Sequence, residues 1–204
     1  IADRLAKNGW NRKLALRLIE EKKLEGKLFP DTYSVTPAMT ETEILTLMHE
    51  RFKSVWKHIK SASSQKPKLS EHELITLASL VEKETVQPKE APIIARVFLN
   101  RLEKDMKLQS DPTYVYTKER YGKKPTKTDR LTKDNPYNTD VIKGLPPGPI
   151  ANPGRTALLA AMNPSALPKA SSWLYFVAKR DGTGEHYFSR TYKEHRKAIK
   201  RYLK

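Results

Sequence analysis

Three times in this chain a hydroxyl residue stands three positions ahead of a glutamate at the head of a helix-like run: Thr40 with Glu43, Ser70 with Glu73, and Thr191 with Glu194. In such a pair the hydroxyl accepts a bond from the amide three residues on, and the glutamate reaches back to the amide of the cap. Each pair therefore fixes a helix start from both sides. Behind Thr40 come Ile44, Leu45, Leu47, Met48, Phe52, Val55, Trp56 and Ile59, and behind Ser70 come Leu74, Leu77, Ala78 and Val81, all at helical spacing. Leu69 and Leu74 add the two positions of a hydrophobic staple. A chain carrying these signals builds its core from helices.

The remaining segments fill in around them. Residues 1–28 read as one or two short helices using Leu14, Leu18 and Leu24, followed by a turn at Pro30 and Asp31. A polar linker spans 61–68. Pro88 ends the second long run, and a further helix should start near Pro92 and carry Ile93, Ile94, Val97, Phe98 and Leu102. From 108 to 153 the chain is rich in Pro, Thr, Asn, Asp, Tyr and Gly with apolar residues interleaved, the mark of an ordered irregular region that is usually functional. A short helix capped by Asn152 and Pro153 should follow, then a strand at 173–178, turn residues at 181–184 and a return strand at 185–189. Thr191 and Glu194 open a basic C-terminal helix. The expected fold is α+β, mostly helical, with a small antiparallel sheet and long ordered loops.

With 204 residues the chain can form one good-sized core, or a large domain plus a small one. Its net charge of +16 attracts polyanions and anionic surfaces without choosing among them. There is no cysteine, which removes disulfides, thiolate catalysis and Cys-based zinc sites. No window approaches the roughly 18 apolar residues of a membrane-spanning helix. The chain opens in mid-pattern, without an initiator Met, as a fragment of something longer would.

Two glutamates sit in residues 81–85 (VEKET). Glu84 lies seven positions beyond Leu77 and three beyond Val81, so it continues the apolar stripe, whereas Glu82 shares a row with Ile75, Ser79 and Val86 nearer the flank. A carboxyl at the end of a buried stripe loses hydration, its pKa rises, and it becomes fit to donate a proton near neutral pH, as glycosidic cleavage requires. An ordinary glutamate paired with Lys83 or Lys89 is the commoner arrangement at a helix end. The five histidines show no metal-ligand spacing, and His186 alone, beside Tyr187 and Phe188, could face a cleft. Nucleotide loops and serine-hydrolase elbows are absent from the sequence. The basic C-terminal helix could hold phosphates, although such a run is more often a solvated face, and no recognition motif accompanies it.

Seven segments in order resemble the YceG-like, or MltG, family of endolytic murein transglycosylases: 25–33 (EGKLFPDTY), 77–85 (LASLVEKET), 95–102 (ARVFLNRL), 108–113 (LQSDPT), 137–139 (YNT), 144–153 (GLPPGPIANP) and 175–178 (YFVA). The resemblance implies a partly lysozyme-like catalytic domain over 25–204, preceded at 1–24 by the remnant of a LysM-like subdomain. It implies cleavage between N-acetylmuramic acid and N-acetylglucosamine within glycan strands, leaving 1,6-anhydro ends and terminating nascent strands. It also implies work on the outer face of the bacterial cytoplasmic membrane, an N-terminal membrane anchor outside this chain, and penicillin-binding proteins as partners. No cofactor, metal or nucleic acid is expected.

The family's essential glutamate falls on Glu84, because an acid followed by a hydroxyl residue is similar to the Glu-Ser pair of other lytic transglycosylases; Glu82 is the alternative. Gln109, Tyr137, Asn138 and Thr139 are then candidates for bonding the sugars, and Tyr114, His186 and Phe188 for stacking on them. Asp111 is the candidate second carboxylate, read mainly as a cap before Pro112 or a loop organiser. A hydrolytic muramidase on the same substrate and a non-enzymatic binding module for wall polymer or nucleic acid are the competing functions.

Overall fold

The computed structural model describes residues 1–63, 68–117, 123–124, 126–165, 167 and 169–203. Of the polar linker expected at 61–68, residues 64–67 lie outside the described ones. The long helices begin where the capping pairs place them. Helix α3 (Glu41–Ala62), helix α4 (Glu71–Glu84) and helix α9 (Tyr192–Tyr202) each open on a reciprocal hydroxyl–glutamate cap. Before them stand α1 (Ala2–Lys7) and α2 (Arg12–Glu21), and after α4 comes α5 (Ala91–Glu103), with a proline in its first turn.

Helix α4 is the centre of the molecule. Every residue from Leu74 to Val81 is buried, including Thr76 and Ser79. Each large apolar side chain removed from water in this way contributes about 1.5–3 kcal/mol. The two hydroxyls are satisfied locally: Thr76 donates to the His72 carbonyl at 2.8 Å and Ser79 to the Thr76 carbonyl at 2.7 Å. Around α4 pack α5, the later half of α3 and helix α8 (Arg155–Met162), with Phe98, Ile59, Leu158 and Ile150 in the common core. A smaller cluster joins α1 and α2 to Leu24, Leu28 and the early half of α3 through Ile44, Leu45 and Met48.

The irregular region carries two short helices, α6 (Asp111–Tyr114) and α7 (Lys127–Leu131). The sheet is a two-stranded antiparallel hairpin, β1 (Tyr175–Ala178) and β2 (His186–Ser189), with Phe176 opposite Phe188. One face meets α5, where Phe98 packs edge-on to Phe176 at 5.8 Å. The other is covered by α9, whose His195 stacks on Tyr175 at 5.1 Å. The α+β expectation holds.

Two expected caps differ. Helix α8 starts at Arg155 behind Gly154, without a side-chain cap, and the Gly154 amide donates to Glu82 Oε2 at 3.1 Å. Asn152 instead accepts the Leu28 amide at 2.9 Å, tying the strip before α8 to the N-terminal part of the chain. In α6 the cap position is Ser110, leaving Asp111 as the first helical residue. In both places a tertiary bond displaces the local one.

Candidate active site

Helical phase separates the two glutamates at the end of α4. The row of Ile75, Ser79 and Glu82 receives the strip 149–154: Ser79 accepts the Ile150 amide at 3.0 Å, and Glu82 holds Gly154. Glu82 is an exposed anchor for α8. Glu84 sits on a different face, where the loop at 108–113 arrives. Ser110 Oγ donates to Glu84 Oε1 at 2.6 Å. Glu84 retains some exposure, yet protein crowds its carboxyl enough that burial drives its pKa up to about 7. The Ser110 hydroxyl and Lys83 oppose that rise, and the nearby Asp111 reinforces it. Lys89, the other cation considered from sequence, pairs with Glu185 at 2.6 Å.

Ser110 is held by its backbone. Its amide donates to Thr139 Oγ1 at 2.9 Å, and its carbonyl accepts from Thr113 Oγ1 at 2.6 Å. Thr113 and Thr139 also share a hydroxyl–hydroxyl bond at 2.9 Å. The residue before it, Gln109, adopts a left-handed backbone (φ 51°), uncommon for a residue with a side chain and frequent near functional centres. Arg101 of α5 fixes this bend from below. Its guanidinium is buried, donates to the carbonyls of Lys107 (3.1 Å), Leu108 (2.9 Å) and Leu174 (2.6 Å), and lies 4.9 Å from the centre of the Tyr175 ring. One arginine thus joins α5, the loop beneath Ser110 and the entry to the hairpin.

The other residues singled out from sequence divide into two groups. Gln109 and Asp111 are exposed beside Glu84's partner loop, and Tyr137 is partly exposed against Tyr116 at 4.9 Å between ring centres. Burial raises the Asp111 pKa, with the Tyr114 hydroxyl and Arg130 opposing and Asp140 adding to the rise. Phe188 is partly exposed and stacks on Trp173 at 5.2 Å.

Asn138, Thr139, Tyr114 and His186 are buried instead. Asn138 donates to the carbonyls of Arg130 (3.0 Å) and Thr132 (2.9 Å) and accepts the Asp140 amide at 3.0 Å, so it ties a turn together. His186 is bonded to Glu90 at 2.8 Å and packs edge-on to Phe176. All four are packed within the protein beside or behind the loop that carries Ser110.

Ser110 and Arg101 were missed from sequence. The hydroxyl that reaches Glu84 comes from the loop, whereas the adjacent Thr85 keeps a buried Oγ1 without a hydrogen-bond partner among the described residues. Both missed residues lie inside the segments 95–102 and 108–113, the only signal that pointed to them.

The sequence profile of the YceG-like family matches residues 1–201. The chain belongs to this family. Among similar proteins is the endolytic murein transglycosylase of Bacillus subtilis (strain 168), 41% identical over 181 residues that make up 88% of this chain and 48% of the relative. The endolytic murein transglycosylase of Streptococcus pneumoniae serotype 2 (strain D39) is 35% identical over 182 residues, 85% of this chain and 31% of the relative. This YceG-like chain therefore spans about half, or less, of the length of those relatives. A crystal structure of a putative YceG-like protein from Listeria monocytogenes superposes with a TM-score of 0.75 at 35% identity, over 91% of this chain and 64% of that one. Among the described residues, no helix is long and apolar enough to cross a membrane.

Proposed function

We propose that this chain is the catalytic part of an endolytic peptidoglycan lytic transglycosylase, with Glu84 as its single acid and base. The observation that carries the proposal is the Glu84 carboxyl itself, poised near neutral pH and held by one hydroxyl. The protonated carboxyl donates to the glycosidic oxygen between N-acetylmuramic acid and N-acetylglucosamine, and the C–O bond breaks. The carboxylate left behind takes the proton of the muramic C6 hydroxyl, whose oxygen closes on the anomeric carbon. The product is a 1,6-anhydro end, and no water is consumed. An internal nucleophile of this kind acts at very high effective concentration. Ser110 donates to Oε1 throughout, which leaves Oε2 to carry the proton.

A hydrolytic muramidase is the second reading, favoured by one observation: Asp111 is close enough to raise the Glu84 pKa and could serve as the second carboxylate that hydrolysis needs. Digestion of purified sacculi followed by mass spectrometry of the muropeptides separates the two. Anhydro ends from wild type, lost in Glu84→Gln and retained in Asp111→Asn, support the transglycosylase; reducing ends alone would overturn it.

The same proposal places catalysis in 25–204, with 1–24 as part of an N-terminal subdomain. It sets the enzyme on the outer face of the cytoplasmic membrane, anchored by a segment outside this chain, cutting nascent glycan strands beside penicillin-binding proteins.

A further inference from the structure

The charge on this chain is not spread evenly. On the outward side of α9, Tyr192, Lys193, Arg196, Lys197 and Lys200 line a shallow trough of about 290 Å³. None of its four cations is ion-paired among the described residues. The one acid of the helix, Glu194, turns back to accept the Arg190 and Thr191 amides at 2.9 and 3.2 Å as part of the cap. Four cations without an ion-pair partner among the described residues, spaced about 6 Å per four residues along the axis, form a line of positive charge on one helix face. Tyr192, 60% exposed, closes one end.

The opposite side of α9 packs against the hairpin. Ala198 is buried, His195 stacks on Tyr175, and Tyr202 packs against Tyr187 at 5.7 Å. The hairpin thus takes up most of the apolar side that a membrane-surface helix would insert into a bilayer. A concave line of cations fits a chain of anions better than a flat field of headgroups.

We infer that the α9 trough is a docking site for a linear phosphodiester polymer of the cell wall, separate from the Glu84 centre. Bound there, the polymer would hold the enzyme against the wall while Glu84 works on the glycan. The choice of wall polymer over other polyanions rests on the proposed function; the cationic trough does not.

Co-sedimentation tests it. The full 204-residue chain is mixed with sacculi that retain their phosphodiester polymer and with sacculi stripped of it by hydrofluoric acid. Wild type should bind the first at least about tenfold more tightly. With four phosphates engaged, log K should fall against log salt with a slope of about −3, about sixty-fold between 50 and 200 mM salt. The variant Lys193→Gln/Arg196→Gln/Lys197→Gln/Lys200→Gln should lose the preference and most of the slope. A variant with the same loss of charge elsewhere, Lys13→Gln/Lys57→Gln/Lys104→Gln/Lys133→Gln, should keep both, with thermal melts confirming that both variants fold. Equal binding to stripped sacculi, an equal loss in the two variants, or tighter binding to phosphatidylglycerol vesicles or single-stranded DNA would overturn the inference. Glu84→Gln should bind as wild type does, so failure of the transglycosylase reading shows in the muropeptides and failure of this one in the pellet.

Discussion

Ser110→Ala isolates the bond that sets the acid. The Ser110 hydroxyl donates to Glu84 Oε1 at 2.6 Å, which stabilises the carboxylate against the effect of burial. A hydrogen bond to a charged group is worth about 1.5–3 kcal/mol, and about 1.4 kcal/mol corresponds to a tenfold change in proton affinity. Loss of the bond should move half-ionisation of Glu84 upward from about 7 by about one to two pH units. Water entering the vacated space recovers part of the loss, so about one is the working figure. The loop survives the change, because Thr113 and Thr139 grip the Ser110 backbone and not its hydroxyl. The assay is the initial rate of release of anhydro-ended muropeptides at limiting substrate, from about pH 5 to about pH 10, where the alkaline limb reports the free enzyme's acid. Wild type should decline above about pH 7 and the variant above about pH 8. An alkaline limb that stays in place, or moves toward acid, would refute the assignment of Ser110.

The raised Glu84 pKa also links stability to pH. The folded carboxyl holds its proton up to about pH 7 against 4.5 in the unconstrained group, so its contribution is complete below about 4.5 and disappears by about 7, a swing of about 3 kcal/mol. Thermal melts should show wild type losing that amount relative to Glu84→Gln across this window, and parallel profiles would contradict it. Arg101→Met leaves the carbonyls of Lys107, Leu108 and Leu174 without their donor; at about 1 kcal/mol or more for each, the melting temperature should drop by about 6–12 °C, measurable by calorimetry. Glu82→Gln should keep sacculus cleavage within about twofold of wild type while Glu84→Gln loses about a hundredfold or more. Equal losses in the muropeptide assay would return Glu82 to candidacy.

The helical frame was legible because its signals are local. Thr40, Ser70 and Thr191 each sit within three residues of the glutamate that completes the cap, and the stripe through Leu74, Leu77, Ala78 and Val81 carries its own phase. That phase also distinguished Glu84 from Glu82, since the strip at 149–154 could approach only one of the two rows. What stayed hidden depends on partners far along the chain. Ser110 reaches Glu84 over 26 positions, Thr139 reaches Ser110 over 29, and Leu174 reaches Arg101 over 73. The same distance explains the misplaced caps. Asn152 has the right side chain for a local cap, but its oxygen is better placed against the Leu28 amide, 124 positions earlier. Asn138 and Thr139 drew attention because they lie in a matching segment, and His186 because it neighbours Tyr187 and Phe188 on the return strand; all three are buried and bonded within the protein.

The distant origin of Ser110's supports has a consequence for the growing polypeptide. A chain made from its N-terminus at about 5–20 residues per second exposes α4 well before the turn at 135–140 exists. Until that turn docks, Thr139 cannot hold the Ser110 amide, and the loop that brings the hydroxyl to Glu84 lacks one of its fixings. In a polypeptide that stops short of residue 139 this bond is missing, and Thr113 alone bonds the Ser110 backbone from a side chain. The surroundings of Glu84 are thus completed late in synthesis, by a segment far from it in the sequence.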